Sequence, residues 1–166
     1  MNVSLNRWKE EFIPDLAYLA NNKKVWNTLR NALPHPYTHA DAENWISLKK
    51  DMEPVTDFAI LADGKFCGAI GLLLKDDVYL FNAEIGYWLG EPFWGKGIGT
   101  EAVRQLTAIA FTQFPVRRIY AEIFSNNPAS EAVLRKNGFH LESVAKDSVF
   151  KNNLFLDTHT WVKFKD

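Results

Sequence analysis

The segment EIGYWLGEPFWGKGIGTEAV, residues 84–103, changes periodicity across a glycine-rich turn. From Glu84 to Leu89 the pattern is that of a strand, with Glu84, Gly86 and Trp88 on one face and Ile85, Tyr87 and Leu89 on the other. Beyond Ile98, apolar residues recur at Ala102, Leu106, Ile109, Ala110 and Phe114. That is the spacing of an amphipathic helix, which Pro115 ends. Between them Gly95, Gly97 and Gly99 flank Lys96. A strand, a glycine turn and a helix start place consecutive N–H groups and the positive end of a helix dipole at one spot, a seat for an anion.

Three phosphate readings compete with that of a plain structural turn. A Walker A loop needs Gly-Lys-Ser/Thr, and here Lys96 precedes Gly97 instead. A dinucleotide fingerprint needs GxGxxG opening a long βαβ unit, whereas Gly95-Lys96-Gly97-Ile98-Gly99 is GxGxG in mid-chain. The third reading is a pyrophosphate held on backbone amides, with Thr100 adding a hydroxyl and Lys96 adding charge at the rim.

Outward from this segment the chain reads as a mixed α/β sheet. Upstream, Asp57–Ala62 and Lys65–Leu74 are apolar runs joined by Asp63-Gly64, a two-residue hairpin signal. Asp76-Asp77 marks a turn before a strand expected over Val78–Leu89. Residues 3–8 are expected as a short first strand, with helices starting at Pro14-Asp15 and spanning 22–31. Leu33–Thr38 reads as a rigid loop, since each proline restricts the residue before it. A helix capped by Thr38 follows over THADAENWISLKK. Downstream come a strand over Arg117–Phe124, a helix over Pro128–Asn137 stopped by Gly138, and a closing hairpin of Phe139–Phe150 and Leu154–Phe164 turned at Asn152-Asn153.

Composition bounds the function. The 166 residues carry 47% hydrophobic and 23% charged residues and a net charge of −1, the balance of one globular domain spanning 1–166 with no basic footprint for nucleic acid. No 18-residue apolar run argues for a membrane span, and MNVSLNRWKEEF lacks the regions of a signal peptide. Cys67 stands alone, and His35, His39, His140 and His159 show no metal-ligand spacing. The expectation is a cytoplasmic protein without a metal.

The motifs resemble the acyl-CoA-binding segment of the GNAT superfamily of N-acetyltransferases, whose pattern (Q/R)-x-x-G-x-(G/A) falls on Trp94-x-x-Gly97-x-Gly99. Trp94 departs from the usual Gln or Arg, but YWLGEPFWGKGIGTEA is similar to the branch of ribosomal-protein N-terminal acetyltransferases, where an aromatic is common at that position. LPHPYTHADAENWI, NPASEAVLRKNGF and SVFKNNLFLDTHTWVKF also resemble segments of that branch. The resemblance implies a mixed, mostly antiparallel, V-splayed sheet of about seven strands flanked by four to five helices. It also implies acetyl-CoA as cosubstrate: pantetheine pairs with the backbone at Trp88 and Leu89, and the pyrophosphate sits on the amides of Gly95, Lys96, Gly97, Ile98, Gly99 and Thr100.

Acetyl transfer needs a neutral amine, a polarised carbonyl and a proton for the departing thiolate. A free α-amine is neutral in roughly a fifth to a third of molecules at cytoplasmic pH, against about 0.1% for lysine. A modest base therefore suffices for an α-amine. Glu84, a carboxylate within an apolar strand, is the candidate, or else a structural ion pair; the resemblance favours the base. In the family pattern N-x-x-(A/S)-x-x-x-Y-x-x-x-G-F, this chain supplies Asn127, Ser130, Leu134, Gly138 and Phe139. Leu134 replaces the proton-donating tyrosine, and the resemblance implies that Ser130, one turn earlier, assists the sulfur. Asn127 either holds pantetheine or caps its helix. His35 and Tyr37, in the Pro-rich loop that borders the acceptor cleft in this family, are candidate substrate contacts or loop-stiffening residues. Trp8, Trp45 and Trp161 read as packing, Tyr87 as core and Cys67 as a buried thiol. The acceptor reads as a protein N-terminal amine. A small amine, such as a polyamine, amino acid or antibiotic, and a non-catalytic CoA-binding module are the alternatives. A monomer or homodimer is expected.

Overall fold

A computed structural model describes all residues, Met1–Asp166. The strands are β1 (Val3–Asn6), β2 (Asp57–Ala62), β3 (Lys65–Leu74), β4 (Asn82–Leu89), β5 (Arg118–Phe124), β6 (His140–Lys151) and β7 (Leu154–Phe164). The helices are α1 (Ile13–Ala20), α2 (Lys23–Trp26), α3 (His39–Lys49), α4 (Ile98–Gln113) and α5 (Pro128–Lys136). Seven strands form one sheet in the order β1-β2-β3-β4-β5-β7-β6. The β1–β2, β2–β3, β5–β7 and β6–β7 pairs are antiparallel. The α4 crossover makes β4 and β5 parallel, pairing Asn82–Glu84 with Arg118–Tyr120. This is the mixed, mostly antiparallel sheet expected.

The chain forms two compact units, each of two segments: Met1–Gly71 with Tyr87–Ala102, and Leu72–Gly86 with Val103–Asp166. The first has an aromatic core. Trp8 lies 5.9 Å from Trp45 and 5.7 Å from Phe66, whose ring also meets Phe12 and, at 6.4 Å, Trp88. Leu16, Leu19 and Ile46 of α1 and α3 fill out the same cluster. The second unit buries Leu106 and Ala110 of α4, Ile119 and Ala121 of β5, Leu134 of α5, and Trp161 and Val162 of β7. Both hairpin turns take the left-handed backbone their residues favour: Asp63 and Gly64 have φ of 49° and 78°, and Asn152 and Asn153 have 51° and 60°. Thr38 caps α3 in a reciprocal box with Asp41.

Three elements are shorter than expected. β1 ends at Asn6. The helix expected over 22–31 is α2 alone: Asn22 caps it, accepting from the Lys24 amide at 2.8 Å, but the Thr28 hydroxyl donates to the Val25 carbonyl at 3.0 Å. Such a local side-chain bond competes with helical propagation. The strand expected from Val78 begins at Asn82, because Asp77 takes φ 53° and opens a 3-10 turn through Tyr79. Tyr87 is half-buried rather than in the core.

Cys67 is fully buried, and its thiol donates to the Ile60 carbonyl at 3.2 Å. Burial pushes its pKa up to about 12. The folded protein is therefore expected to resist iodoacetamide at pH 8, while denatured protein alkylates fully; mass spectrometry checks this, and fast native labelling would contradict the burial. No helix is long and apolar enough to cross a membrane.

Candidate active site

In the first unit, β4 ends at Trp88 and Leu89, and a 3-10 turn over Glu91–Phe93 leads to the glycines. Gly95 and Gly97 have φ of 71° and 78°, a left-handed backbone that resists a side chain. The Gly97 carbonyl accepts the first helical bond from the Glu101 amide at 3.1 Å, so Ile98, Gly99 and Thr100 form the first turn of α4. Ile98 and Gly99 are buried anchors, whereas Gly95, Lys96 and Gly97 face solvent. Lys96 Nζ is 5.8 Å from the Phe93 ring, and its charge stays at the rim.

Two further contacts fix the entry to this turn. The Trp94 indole N–H donates to the Leu89 carbonyl at 2.8 Å, with the ring 43% exposed. The Glu91 carboxylate accepts from Lys24 Nζ at 2.5 Å and Asn22 Nδ2 at 2.8 Å. These hydrogen bonds hold the carboxyl below its ordinary pKa. Close backbone contact between β3 and β4 depends on Gly68, where an added Cβ would lie 2.2 Å from the Trp88 carbonyl oxygen.

In the second unit, Glu84 is a partly buried carboxylate, its side chain 15% exposed, with Lys75 Nζ 3.4 Å from Oε2. Lys75 Nζ also lies 5.7 Å from the centre of the Tyr120 ring, and its interaction with Tyr120, with the charges around it, raises the lysine pKa against the cost of burial. Tyr120 stands opposite Glu84 in the β4–β5 register. Arg118 Cζ lies 5.1 Å from the same ring and donates to Asn82 at 3.0 Å and Glu142 at 2.5 Å.

Asn127 caps α5, its Oδ1 accepting from the Ser130 amide at 3.2 Å. Ser130 is buried on the first turn, and Leu134, at the position of the family's tyrosine, is fully buried. Next to Ser130, the Glu131 carboxylate contacts His159 Nδ1 and accepts from the Trp161 indole at 3.3 Å. His159, considered only as a metal ligand from sequence, is thus tied to the catalytic-candidate helix. Lys75, Tyr120 and Glu131 were not singled out. The i, i+2 alternation of His159 and Trp161 on one strand face was the available signal for the last cluster.

The loop candidates separate. Exposed His35 lies 5.8 Å from the Trp26 ring. Tyr37 is 7% exposed within the first unit's core, and its backbone amide donates to Asn21 at 3.1 Å. Burial and the Asp41 charge push its phenol up to about 12. Trp8 and Trp161 are packing residues as expected, and Trp45 is partly buried. No group of three or more His, Cys, Asp and Glu side chains is arranged to hold a metal ion.

Comparison with known proteins agrees with this geometry. Residues 2–140 match the family model described as an acetyltransferase (GNAT) domain. The ribosomal-protein-serine acetyltransferase of Escherichia coli K12 is 34% identical over 177 aligned positions, which take in 99% of this chain and 94% of that protein. With two Bacillus subtilis relatives, YdaF and YjcK, the matching stretch spans 65% and 61% of their length. The crystallised RimL, a ribosomal L7/L12 α-N-protein acetyltransferase in complex with coenzyme A, superposes with a TM-score of 0.84 at 22% identity, covering 100% of this chain and 96% of that one. With a glycine turn opening α4 and a capped serine helix both inside the matched residues 2–140, the chain belongs to the GNAT acetyltransferase family.

Proposed function

We propose that residues 1–166 act as one acetyl-CoA-dependent N-acetyltransferase domain whose acceptor is a protein or peptide N-terminal amine. The observation that carries the cosubstrate is the left-handed Gly95–Gly97 turn opening directly onto the first turn of α4, which presents N–H groups and dipole to a pyrophosphate. Similarity to the ribosomal-protein-serine acetyltransferase supports the acceptor.

In the reaction, the amine nitrogen bonds to the thioester carbonyl carbon and the C–S bond breaks. Glu84 takes the proton that leaves nitrogen. A strand amide near Trp88 or Leu89 meets the oxygen that gains charge. The coenzyme thiolate, whose conjugate acid has a pKa of about 8.5, needs little help to leave; Ser130 offers it a hydrogen bond from its hydroxyl, and the proton reaches sulfur from solvent. Asn127 supports pantetheine through the helix it caps, and exposed His35, in the Pro-rich loop, is the candidate acceptor contact. The protein works in the cytoplasm, as a monomer or homodimer.

A polyamine acceptor would need uncommitted acids near the Pro-rich loop. Of the four acids there, Asp41 is spent in the α3 cap, Glu43 pairs with His39 at 3.1 Å and Glu53 pairs with Arg7, while Asp51 is exposed next to Lys50. These engagements favour the peptide amine. Product mass spectrometry with acetyl-CoA on panels of peptides and small amines tests the reading. Acetylation of peptide α-amines is expected. Acetyl-CoA binding without turnover on either panel would leave only a binding module. Acetyl-CoA is also expected to raise the melting temperature, because a ligand of the native state stabilises it.

A further inference from the structure

We propose that Lys75 is a positioning residue for Glu84, held in place by Tyr120; this rests on the reading of Glu84 as the base. An exposed lysine–carboxylate pair contributes little, because water screens it and its long side chains stay mobile. This pair differs in burial and in support. The Glu84 and Lys75 side chains are 15% and 27% exposed, and Nζ is 3.4 Å from Oε2.

Lys75 directly follows β3, and its amide bonds the Asn82 carbonyl at 3.1 Å, so its stem starts from an ordered hairpin. Its ammonium lies 5.7 Å from the centre of the Tyr120 ring, within reach of a cation–π contact. The ring is fixed in turn, because Arg118 lies 5.1 Å from it and is tied to Asn82 on β4 and Glu142 on β6. Lys75 and Tyr120 thus stand beside Glu84, and Arg118, tied to Glu142, backs the tyrosine ring.

A general base works only when its oxygen is aimed at the proton it takes. The lysine supplies that aim, because its hydrogen bond restricts the carboxylate rotamer. Tyr120 keeps the ammonium from swinging into solvent. The same position in an ordinary hairpin needs no such brace.

Steady-state kinetics on Lys75→Met, Lys75→Arg, Glu84→Gln and the Glu84→Gln/Lys75→Met double variant test this. Lys75→Met is expected to lower kcat about tenfold and leave the acetyl-CoA KM within about twofold, the split expected of a residue that aims the base without touching the cosubstrate. Lys75→Arg restores most of the activity. The double variant is no slower than Glu84→Gln, since Lys75 acts only through that carboxylate. Wild-type kcat in Lys75→Met, with Glu84→Gln impaired, would overturn the inference while sparing the base. Losses that multiply in the double variant would overturn it too, and this comparison survives a change in stability. Full activity in Glu84→Gln would remove the base reading, and the inference with it.

Discussion

Glu84→Gln lowers kcat/KM for an α-amine acceptor by about 10²-fold or more, the usual contribution of a positioned general base. The size of the loss identifies the step. A free α-amine is already neutral in roughly a fifth to a third of molecules at cytoplasmic pH. If Glu84 only removed the ammonium proton before attack, its loss would cost no more than about fivefold, and the deficit would vanish above the amine pKa. A larger deficit that persists at pH 9 places proton removal at C–N bond formation, where the nitrogen becomes strongly acidic. The substitution keeps shape and removes charge, so acetyl-CoA affinity should change little. Measuring kcat/KM at pH 7 and pH 9 with one peptide decides it, and wild-type activity at both would end Glu84's candidacy. Lysine acceptors, neutral in about 0.1% of molecules, would remain poor substrates in either form.

Gly68→Ala produces the largest structural effect. The new Cβ would sit 2.2 Å from the Trp88 carbonyl oxygen and 3.0 Å from Leu89 Cα. Both are backbone atoms and cannot rotate away. Relief requires β3 and β4 to separate, at a cost of about 3 kcal/mol, the upper range of overpacking. At about 2–4 °C per kcal/mol for a chain of this size, the melting temperature falls by about 6–12 °C. The displaced residues, Trp88 and Leu89, are those whose backbone is proposed to pair with pantetheine, so the acetyl-CoA KM should rise in protein that remains folded. Gly86→Ala is the control: a Cβ there meets nothing within 4 Å, and its melting temperature should stay within about 2 °C of wild type. An unchanged melting temperature for Gly68→Ala would refute the close approach.

These two residues differ in how legible they were. Glu84 announced itself, because an acid in an alternating apolar strand has few explanations. Gly68 lies in the apolar run KFCGAIGLLL, where nothing local separates a tolerated glycine from a required one. Turns were readable because their chemistry is local: Asp63-Gly64 and Asn152-Asn153 each carry the left-handed residues that a tight hairpin demands. α4 was readable because its apolar spacing runs for four turns. α2 was overextended because one Thr28 hydroxyl bond to Val25 outweighs weak propensity at its end. The Lys75–Glu84–Tyr120 arrangement was invisible, since the parallel register of β4 and β5 is set by a crossover of some thirty residues and has no sequence signature. Tyr37 shows the same limit from the other side. A tyrosine in a proline-rich loop suggests a surface contact, but only packing reveals that it belongs to the core.

The Trp94 indole bond to the Leu89 carbonyl closes the chain on itself just before the glycines, and Asn22 and Lys24 grip Glu91 inside that closure. Ordering one flexible residue costs about 1–2 kcal/mol of conformational entropy. Along this turn that cost is met during folding, so under the proposed function the pyrophosphate of acetyl-CoA meets a pre-ordered entry to the glycines and binding surrenders little chain disorder. Calorimetry should therefore report a small entropic penalty for acetyl-CoA, and Trp94→Phe, which removes the indole donor but keeps an aromatic ring, should enlarge it.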